Sequence, residues 1–192
     1  MAVVAPPKTL VIVAHPKLPE SRLHKIWVRA LTSSTKASIR QLYMFYPTWT
    51  IDVAAEQRAL QEHERIVLQF PFFLYGGPPL LKKWLDDVLA FRWAYGPGGS
   101  ALEGKEIMVA TSTGGPRESY QHGGYHNYSV EELLIPFRQI ANLVGARYLK
   151  PFVLHRARSM SDAEVEQSAQ HYIAYLQDPR VPAEEPRHHP SR

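Results

Sequence analysis

The chain has 192 residues, of which 45% are hydrophobic and 21% charged, the size and composition of one well-packed soluble domain. It has no cysteine, which excludes disulfides, thiolate nucleophiles and cysteine-ligated zinc or iron–sulfur sites. The formal net charge is only +4 and the basic residues are scattered, which argues against nucleic acid as a partner and leaves small anionic ligands open.

No apolar run reaches the length of a membrane span, and the N-terminus lacks the features of a secretory signal. We therefore expect a cytoplasmic location. Metal-ligand spacing is absent, so no metal site is expected, and any redox chemistry has to come from a bound cofactor.

Strands and helices alternate in the first half of the chain. Residues 9–14 (TLVIVA) form a continuous β-branched apolar run, which is typical of a strand buried on both faces. Helical spacing of apolar residues follows over 21–31, then a mixed strand over 37–43 and a short helix over 54–63. A second fully buried strand is predicted over 65–71.

The alternation continues to the end of the chain. Pro78 and Pro79 are suited to a helix start, and two later helices carry the spacing of a capping box, Ser129 with Glu132 and Ser161 with Glu164. The predicted elements are a helix over 80–89, a strand over 106–112, a helix over 129–144 kinked at Pro136, a strand over 146–155 and a helix over 161–178.

This alternation indicates a parallel sheet with right-handed crossovers. Five strands and five helices match a flavodoxin-like three-layer sandwich with strand order 2-1-3-4-5. We predict one domain over residues 1–180 and a disordered, proline-rich polar tail over 181–192.

In such sheets a ligand lies beyond the carboxyl ends of the strands, where the strand order reverses. The loops after the first, third and fourth strands, residues 15–24, 71–77 and 112–120, should therefore converge. The first loop contains neither G-x-G-x-x-G nor G-x-x-x-x-G-K-[ST], which disfavours a dinucleotide site and a P-loop.

The first loop offers a phosphate site instead. Ser21 stands at a predicted helix N-terminus, with Arg22 and His24 in the first turn, and exposed N–H groups together with the helix dipole attract anions there. Capping of the helix without any ligand explains Ser21 equally well, and both interpretations stay open.

The other two loops combine aromatic rings with glycines. Phe72, Phe73 and Tyr75 directly follow a buried strand, where such a cluster suits either core packing or the wall of a ligand site. Gly114 and Gly115 allow the backbone to approach a flat ligand closely. A planar isoalloxazine ring, whose polar edge can accept hydrogen bonds from backbone amides, fits these loops better than a sugar phosphate.

Six segments in the same order resemble the flavodoxin-like NAD(P)H:quinone oxidoreductases. Within that family the sequence is most similar to the ancillary subunits of bacterial glutathione-gated potassium efflux systems. The resemblance extends over residues 9–178 and is carried by VAHP, SRLHK, YPTWTIDVAAEQ, PFFLYGGPPLLKKWLDDVL, WAYGPGGSALEGK and TSTGGPRESY.

The resemblance implies non-covalently bound FMN (or FAD), ping-pong transfer of two electrons from NAD(P)H to a quinone, and a homodimer. The alternative is a regulatory subunit that binds and activates a potassium efflux antiporter, which would place the protein at the inner face of the membrane. Relatives typically have asparagine where this chain has His24, and histidine can also donate to phosphate.

The resemblance also implies roles for individual residues. Tyr120 and His126 would be catalytic, because they would stabilise negative charge on the flavin during hydride transfer. His122 and Tyr125 would only pack over the site. The flavin would be held by His15, Ser21, Arg22, Leu23 and His24 at its phosphate, Phe72, Phe73, Leu74 and Tyr75 against its ring, and Ser112, Thr113, Gly114 and Gly115 at its polar edge.

Overall fold

One parallel sheet lies between two layers of helices in the computed structural model, which describes residues 5–184. The strands are β1 (Thr9–Val13), β2 (Ser38–Gln41), β3 (Arg65–Pro71), β4 (Glu106–Ser112), β5 (Arg147–Tyr148) and β6 (Phe152–Leu154). Their order is β2-β1-β3-β4-β5, with β6 also paired to β4, which confirms the predicted flavodoxin-like arrangement.

The helices are α1 (Arg22–Ser34), α2 (Leu42–Phe45), α3 (Val53–Gln61), α4 (Pro79–Val88), α5 (Val130–Leu133), α6 (Ile135–Leu143) and α7 (Asp162–Gln177). Short 3-10 turns occupy Leu18–Glu20 and Arg117–Ser119. Both predicted capping boxes are present, at the starts of α5 and α7, and Pro136 lies where the predicted single helix divides into α5 and α6.

Alternate side chains of the central strands face two separate cores. Val11 and Val67 point towards α1 and α7, where the rings of Trp27 and Tyr172 lie 4.7 Å apart. The intervening strand residues point towards the opposite helices, where Trp84 of α4 is almost fully buried. Burial on both faces is why β1 and β3 are largely apolar.

The predicted strand over 146–155 is broken in two. Glu106 of β4 pairs with Arg147, whereas Ala110 pairs with Phe152, so one extra residue is accommodated between β5 and β6. Pro151 stands in this gap, and proline cannot donate the hydrogen bond of a continuous ladder. As a result Leu149 and Phe152 pack on the same face of the sheet.

Two further predictions need correction. The strand predicted over 37–43 ends at Gln41, and the chain turns into the short α2, whose Leu42 is fully buried. The predicted tail also begins too early, because Ala183 bridges to Leu149 and Arg138 forms an ion pair with Glu184 at 3.2 Å. The rest of that tail, residues 185–192, lies outside the described residues.

Glu56 of α3 is a fully buried carboxylate that joins several elements. It accepts from Arg40 of β2 at 2.7 Å, from Trp84 of α4 at 3.0 Å and from the hydroxyl of Tyr46. These contacts satisfy the buried charge and fix the segment between β2 and α3. Within residues 5–184, no helix combines the length and apolar character needed to cross a bilayer.

Candidate functional site

The loops after β1, β3 and β4 meet at the carboxyl edge of the sheet, as the sequence predicts. The rings of His15 and Phe73 lie 6.3 Å apart, which joins the first loop to the second. The Phe72 N–H donates to the Ser112 carbonyl at 3.1 Å, and the Tyr75 hydroxyl lies 3.2 Å from His126 Nδ1. All three loops therefore border one surface.

The N-terminus of α1 forms one end of this surface. Ser21 caps the helix, because its Oγ accepts from the His24 N–H at 3.1 Å. The Arg22 side chain is engaged by Asp162 at the start of α7, at 2.9 Å, and Leu23 is buried. The backbone N–H groups of Arg22 and Leu23 are available to an anion, because neither has an acceptor in the part of the chain that the structure describes.

His15 stands beside this helix end and is half-buried. Its Nδ1 accepts from the Lys17 N–H at 3.1 Å, so in the neutral ring Nε2 carries the proton and is a donor. Burial lowers the pKa of His15, which favours this neutral form. A cavity of about 420 Å³ is lined by His15, Pro16, Lys17, Glu20, Ser21 and Phe73.

The structure corrects the role predicted for His24. Its side chain is only 2% exposed and points into the protein, where Nε2 lies 3.0 Å from Ser112 Oγ and Nδ1 lies 3.4 Å from Gln69 Nε2. Complete burial lowers the pKa of His24 to about 3, with a smaller contribution from His15. The ring is therefore neutral and out of reach of a phosphate at the helix end.

The loop after β3 is a two-residue turn with a strained backbone. Phe73 and Gly76 exchange two backbone hydrogen bonds of 3.0 Å, and the residues between them, Leu74 and Tyr75, have φ of 44° and 67°. Residues other than glycine rarely adopt such φ values, and the residues that do are concentrated at functional sites. The turn holds Leu74 96% exposed and leaves Phe73 and Tyr75 half-exposed beside the site.

Tyr120 and His126 are brought together as predicted. Their rings are stacked, with centroids 4.1 Å apart and an interplanar angle of 18°. A Cβ built on Gly115 would lie 3.4 Å from the Tyr120 ring and 3.6 Å from His126 Nε2, so both rings lie directly against the glycine loop. Burial, and to a lesser extent Tyr75, raises the pKa of Tyr120, which keeps its hydroxyl protonated.

Thr113 supports the loop from inside and does not face a ligand with its side chain. It is 1% exposed, and its hydroxyl donates to the Gly115 carbonyl at 2.9 Å while Oγ1 lies 3.0 Å from His155 Nδ1. Since the only hydroxyl proton goes to the carbonyl, His155 must donate from Nδ1. Burial and, secondarily, Arg117 lower the pKa of His155.

Three contributors to this site were not predicted from the sequence. Gln69 is a fully buried polar residue within β3, and His155 follows β6 at the same sheet edge. Arg158 lies over the exposed Gly114, whose hypothetical Cβ would be 3.2 Å from its Nε. A glutamine in the middle of a largely apolar strand and a histidine at a strand end were the available signals.

The carboxyl edge does not contain the largest of the cavities described for this protein. Cavities of about 570 and 750 Å³ lie at the amino ends of the strands, lined in part by Pro7, Glu64 and Arg65 or by Lys8 and Thr9. We place the candidate site at the carboxyl edge instead, because ligands of such sheets bind there and because the strained turn and the glycine loop are there.

Comparison with known proteins relates the chain to one family. A family model described as a flavodoxin-like fold matches residues 7–176. A Bacillus subtilis protein named uncharacterized NAD(P)H oxidoreductase YdeQ is 47% identical over 169 residues, which cover 88% of this chain and 86% of that protein. The glutathione-regulated potassium-efflux system ancillary protein KefG of Yersinia enterocolitica is 37% identical over 174 residues, 91% of this chain and 95% of KefG.

Solved structures show the same similarity. General stress protein 14 of Treponema denticola, in complex with FMN, has a TM-score of 0.85 and 44% identity, over 88% of this chain and 98% of that one. An NADPH-quinone reductase from P. pentosaceus has a TM-score of 0.78 and 30% identity, over 88% and 97%. A protein from S. violaceusniger described as a thermophilic tryptophan halogenase has a TM-score of 0.86 and 43% identity, over 88% and 98%.

Proposed function

Because the chain belongs to the flavodoxin-like fold family, we propose that it is a flavin-dependent NAD(P)H dehydrogenase that reduces quinones. The observation that carries the proposal is the stack of Tyr120 and His126 against Gly115, at the edge where the three loops meet. The relatives named as an NAD(P)H oxidoreductase and an NADPH-quinone reductase, and the relative solved with FMN, support the same activity.

The residues at this edge fit FMN. The free N–H groups of Arg22 and Leu23 would meet its phosphate at the start of α1, and His15 would donate from Nε2. The turn at Leu74 and Tyr75 would cover one side of the ring, and the loop that starts at Ser112 would hold its polar edge. The flavin, when bound, accepts a hydride from NAD(P)H and delivers both electrons to the quinone.

Tyr120 and His126 are proposed to be the catalytic residues. The Tyr120 hydroxyl stays protonated and can donate a hydrogen bond. Together with the His126 ring stacked on it, it would stabilise negative charge that develops on the bound ring. The rings of Phe73 and Tyr75 are half-exposed beside the site, and we propose that nicotinamide and quinone bind against them in turn. This arrangement is the basis for a ping-pong cycle.

Partners form part of the same proposal. Leu74, Tyr125 and Tyr128 expose apolar surface beside the site, which a second copy of the chain would cover in a homodimer. We also propose a cytoplasmic location, because NAD(P)H is available there. The similarity to KefG favours one alternative, a regulatory subunit that binds and activates a potassium efflux antiporter at the inner face of the membrane.

The experiment begins with release of the chromophore from purified protein and its identification by mass, which distinguishes FMN from FAD. NADH and NADPH oxidation is then followed with a quinone, and with tryptophan and halide as a control for the halogenase description. Tyr120→Phe or His126→Ala should slow quinone reduction about 10- to 1,000-fold, and Tyr125→Phe should not. Unchanged rates in both site variants would reduce their role to packing.

The alternative is separated by a transport assay. A variant that retains the flavin but has lost turnover is expressed together with the antiporter, and potassium efflux is measured. If activation of efflux survives the loss of turnover, regulation is independent of the enzyme activity.

A further inference from the structure

A buried chain of hydrogen bonds leads from α7 to the flavin edge of the site. The Tyr172 hydroxyl lies 3.2 Å from Gln69 Oε1, Gln69 Nε2 lies 3.4 Å from His24 Nδ1, and His24 Nε2 lies 3.0 Å from Ser112 Oγ. All four residues are 8% exposed or less. Tyr172 belongs to α7, and Ser112 ends β4 at the edge where the loops meet.

The donor and acceptor of every hydrogen bond in this series follow from the bond at Tyr172, its end at α7. In residues 5–184 the Tyr172 hydroxyl has no hydrogen-bond partner besides Gln69, so its proton has to go to the Gln69 carbonyl. Gln69 then presents its amide N–H to His24, whose Nδ1 has to accept. The His24 proton is therefore on Nε2 and is donated to Ser112.

The reverse arrangement is less stable. If the Gln69 amide were rotated by 180°, its N–H would point at the Tyr172 oxygen and the buried tyrosine proton would have no acceptor. An unsatisfied buried donor destabilises a protein, because the desolvation of the donor is not offset by a hydrogen bond. This difference selects one orientation of Gln69 and one tautomer of His24.

The consequence appears at Ser112. Its oxygen already accepts from His24, and its own proton is not donated to any residue within the described range. Because Ser112 ends β4 at the edge where the loops meet, this proton is free to be donated to a ligand atom that accepts.

We propose that His24 is a positioning residue, whose Nε2–H tautomer makes the Ser112 hydroxyl a hydrogen-bond donor to the polar edge of the flavin ring. This rests on the proposed function, since it assigns the ligand of the same site. Gln69 and Tyr172 take part only through His24. The histidine that departs from the family pattern thus acts on the ring edge, through Ser112, and not on the phosphate.

The tautomer is measured first, because it does not depend on the flavin. Two-bond ¹H–¹⁵N spectra of the full-length protein, with FMN and after its removal, should show His24 protonated at Nε2 and unprotonated at Nδ1. Tyr172→Phe removes the hydroxyl that orients Gln69, so both tautomers should then be populated. A wild-type His24 protonated at Nδ1 would overturn the proposal.

Binding of FMN and of riboflavin is then titrated by flavin fluorescence. Ser112→Ala and His24→Leu should each weaken FMN binding about tenfold, and the double variant should be no weaker than either single one. His24→Gln, whose Nε2–H replaces that of histidine, should restore most of the affinity. Ser168→Ala removes another buried hydroxyl, the acceptor of Trp27 Nε1 at 2.9 Å, and should leave binding unchanged.

The outcomes distinguish this proposal from the proposed function. Losses that multiply to about a hundredfold in the double variant, or that disappear with riboflavin, would show that the Ser112 hydroxyl does not act on the ring through His24. If wild-type protein binds no flavin at all, the proposed function fails and the assignment to a ring edge fails with it. The tautomer measurement still reports on the bond chain by itself in that case.

Discussion

The buried neutral His24 predicts a loss of stability in mild acid. The unfolded chain would bind a proton at this histidine near its ordinary pKa of 6.5, whereas the folded protein does so only at a pKa of about 3. Between these values the unfolded state binds more protons, so stability is complete above the higher pKa and falls as the pH is lowered towards 3.

The magnitude follows from the separation of the two values. A pH of 5 lies about 1.5 units below the unfolded pKa, and each unit corresponds to about 1.36 kcal/mol, so His24 should remove about 2 kcal/mol of stability relative to pH 8. Any folded pKa below about 4 gives the same loss. The carboxylates with lowered pKa, such as Glu132 and Glu164, lose most of their contribution to folding stability only below pH 5.

Urea unfolding of flavin-free protein at pH 8 and pH 5 measures this loss. Wild-type protein should lose about 2 kcal/mol more between the two pH values than His24→Gln, which cannot titrate. His15 and His155 shift in the same direction but are present in both proteins. His122→Gln, at an exposed histidine, controls for removal of a titratable ring. If wild type and His24→Gln lose the same free energy, the argument from burial is wrong.

Three further outcomes are expected. Tyr75→Phe removes the hydroxyl partner of His126 at 3.2 Å, so kcat/KM for a quinone should fall about two- to tenfold with unchanged urea stability, and an unchanged kcat/KM would leave that contact without a role. Leu74→Gly relieves the positive φ of an exposed residue, so it should raise the free energy of unfolding by up to about 1 kcal/mol while weakening flavin binding. A destabilised variant would show that the backbone at Leu74 is not strained. Glu56→Ala leaves Arg40 without its buried partner and should reduce the free energy of unfolding by about 3–5 kcal/mol, whereas a loss below about 1 kcal/mol would show that water replaces the carboxylate.

Elements with strong periodicity could be predicted from the sequence. The largely apolar runs of β1 and β3 and the serine–glutamate pairs before α5 and α7 are signals contained within a few residues of sequence. The carboxyl-edge rule then located the three loops, because it follows from topology and not from side-chain detail. Tyr120 and His126 were identified as site residues through resemblance, since their spacing crosses an irregular loop, and their stacking was not predicted.

Side-chain direction could not be predicted in the same way. His24 was expected at the surface because it follows a capping serine, although it shares a helical face with Trp27, Val28 and Leu31, all buried. Thr113 was expected to face a ligand, but its hydroxyl is used by a carbonyl two residues later. Both outcomes depend on partners distant in sequence or on the path of a loop. The four-residue α2 was missed because so short a segment carries almost no periodicity.

The interruption at Lys150 and Pro151 restricts how this part of the chain can change in evolution. Since the extra residue reverses which way the side chains of β6 point, His155, which follows β6, stands on the same side as Tyr120, with ring centroids 5.8 Å apart. Deletion of one residue there would turn His155 towards α7 and remove the support of Thr113. Segment length between β5 and β6 should therefore be more constrained than residue type, whereas the exposed loop at Gly98 should tolerate insertions.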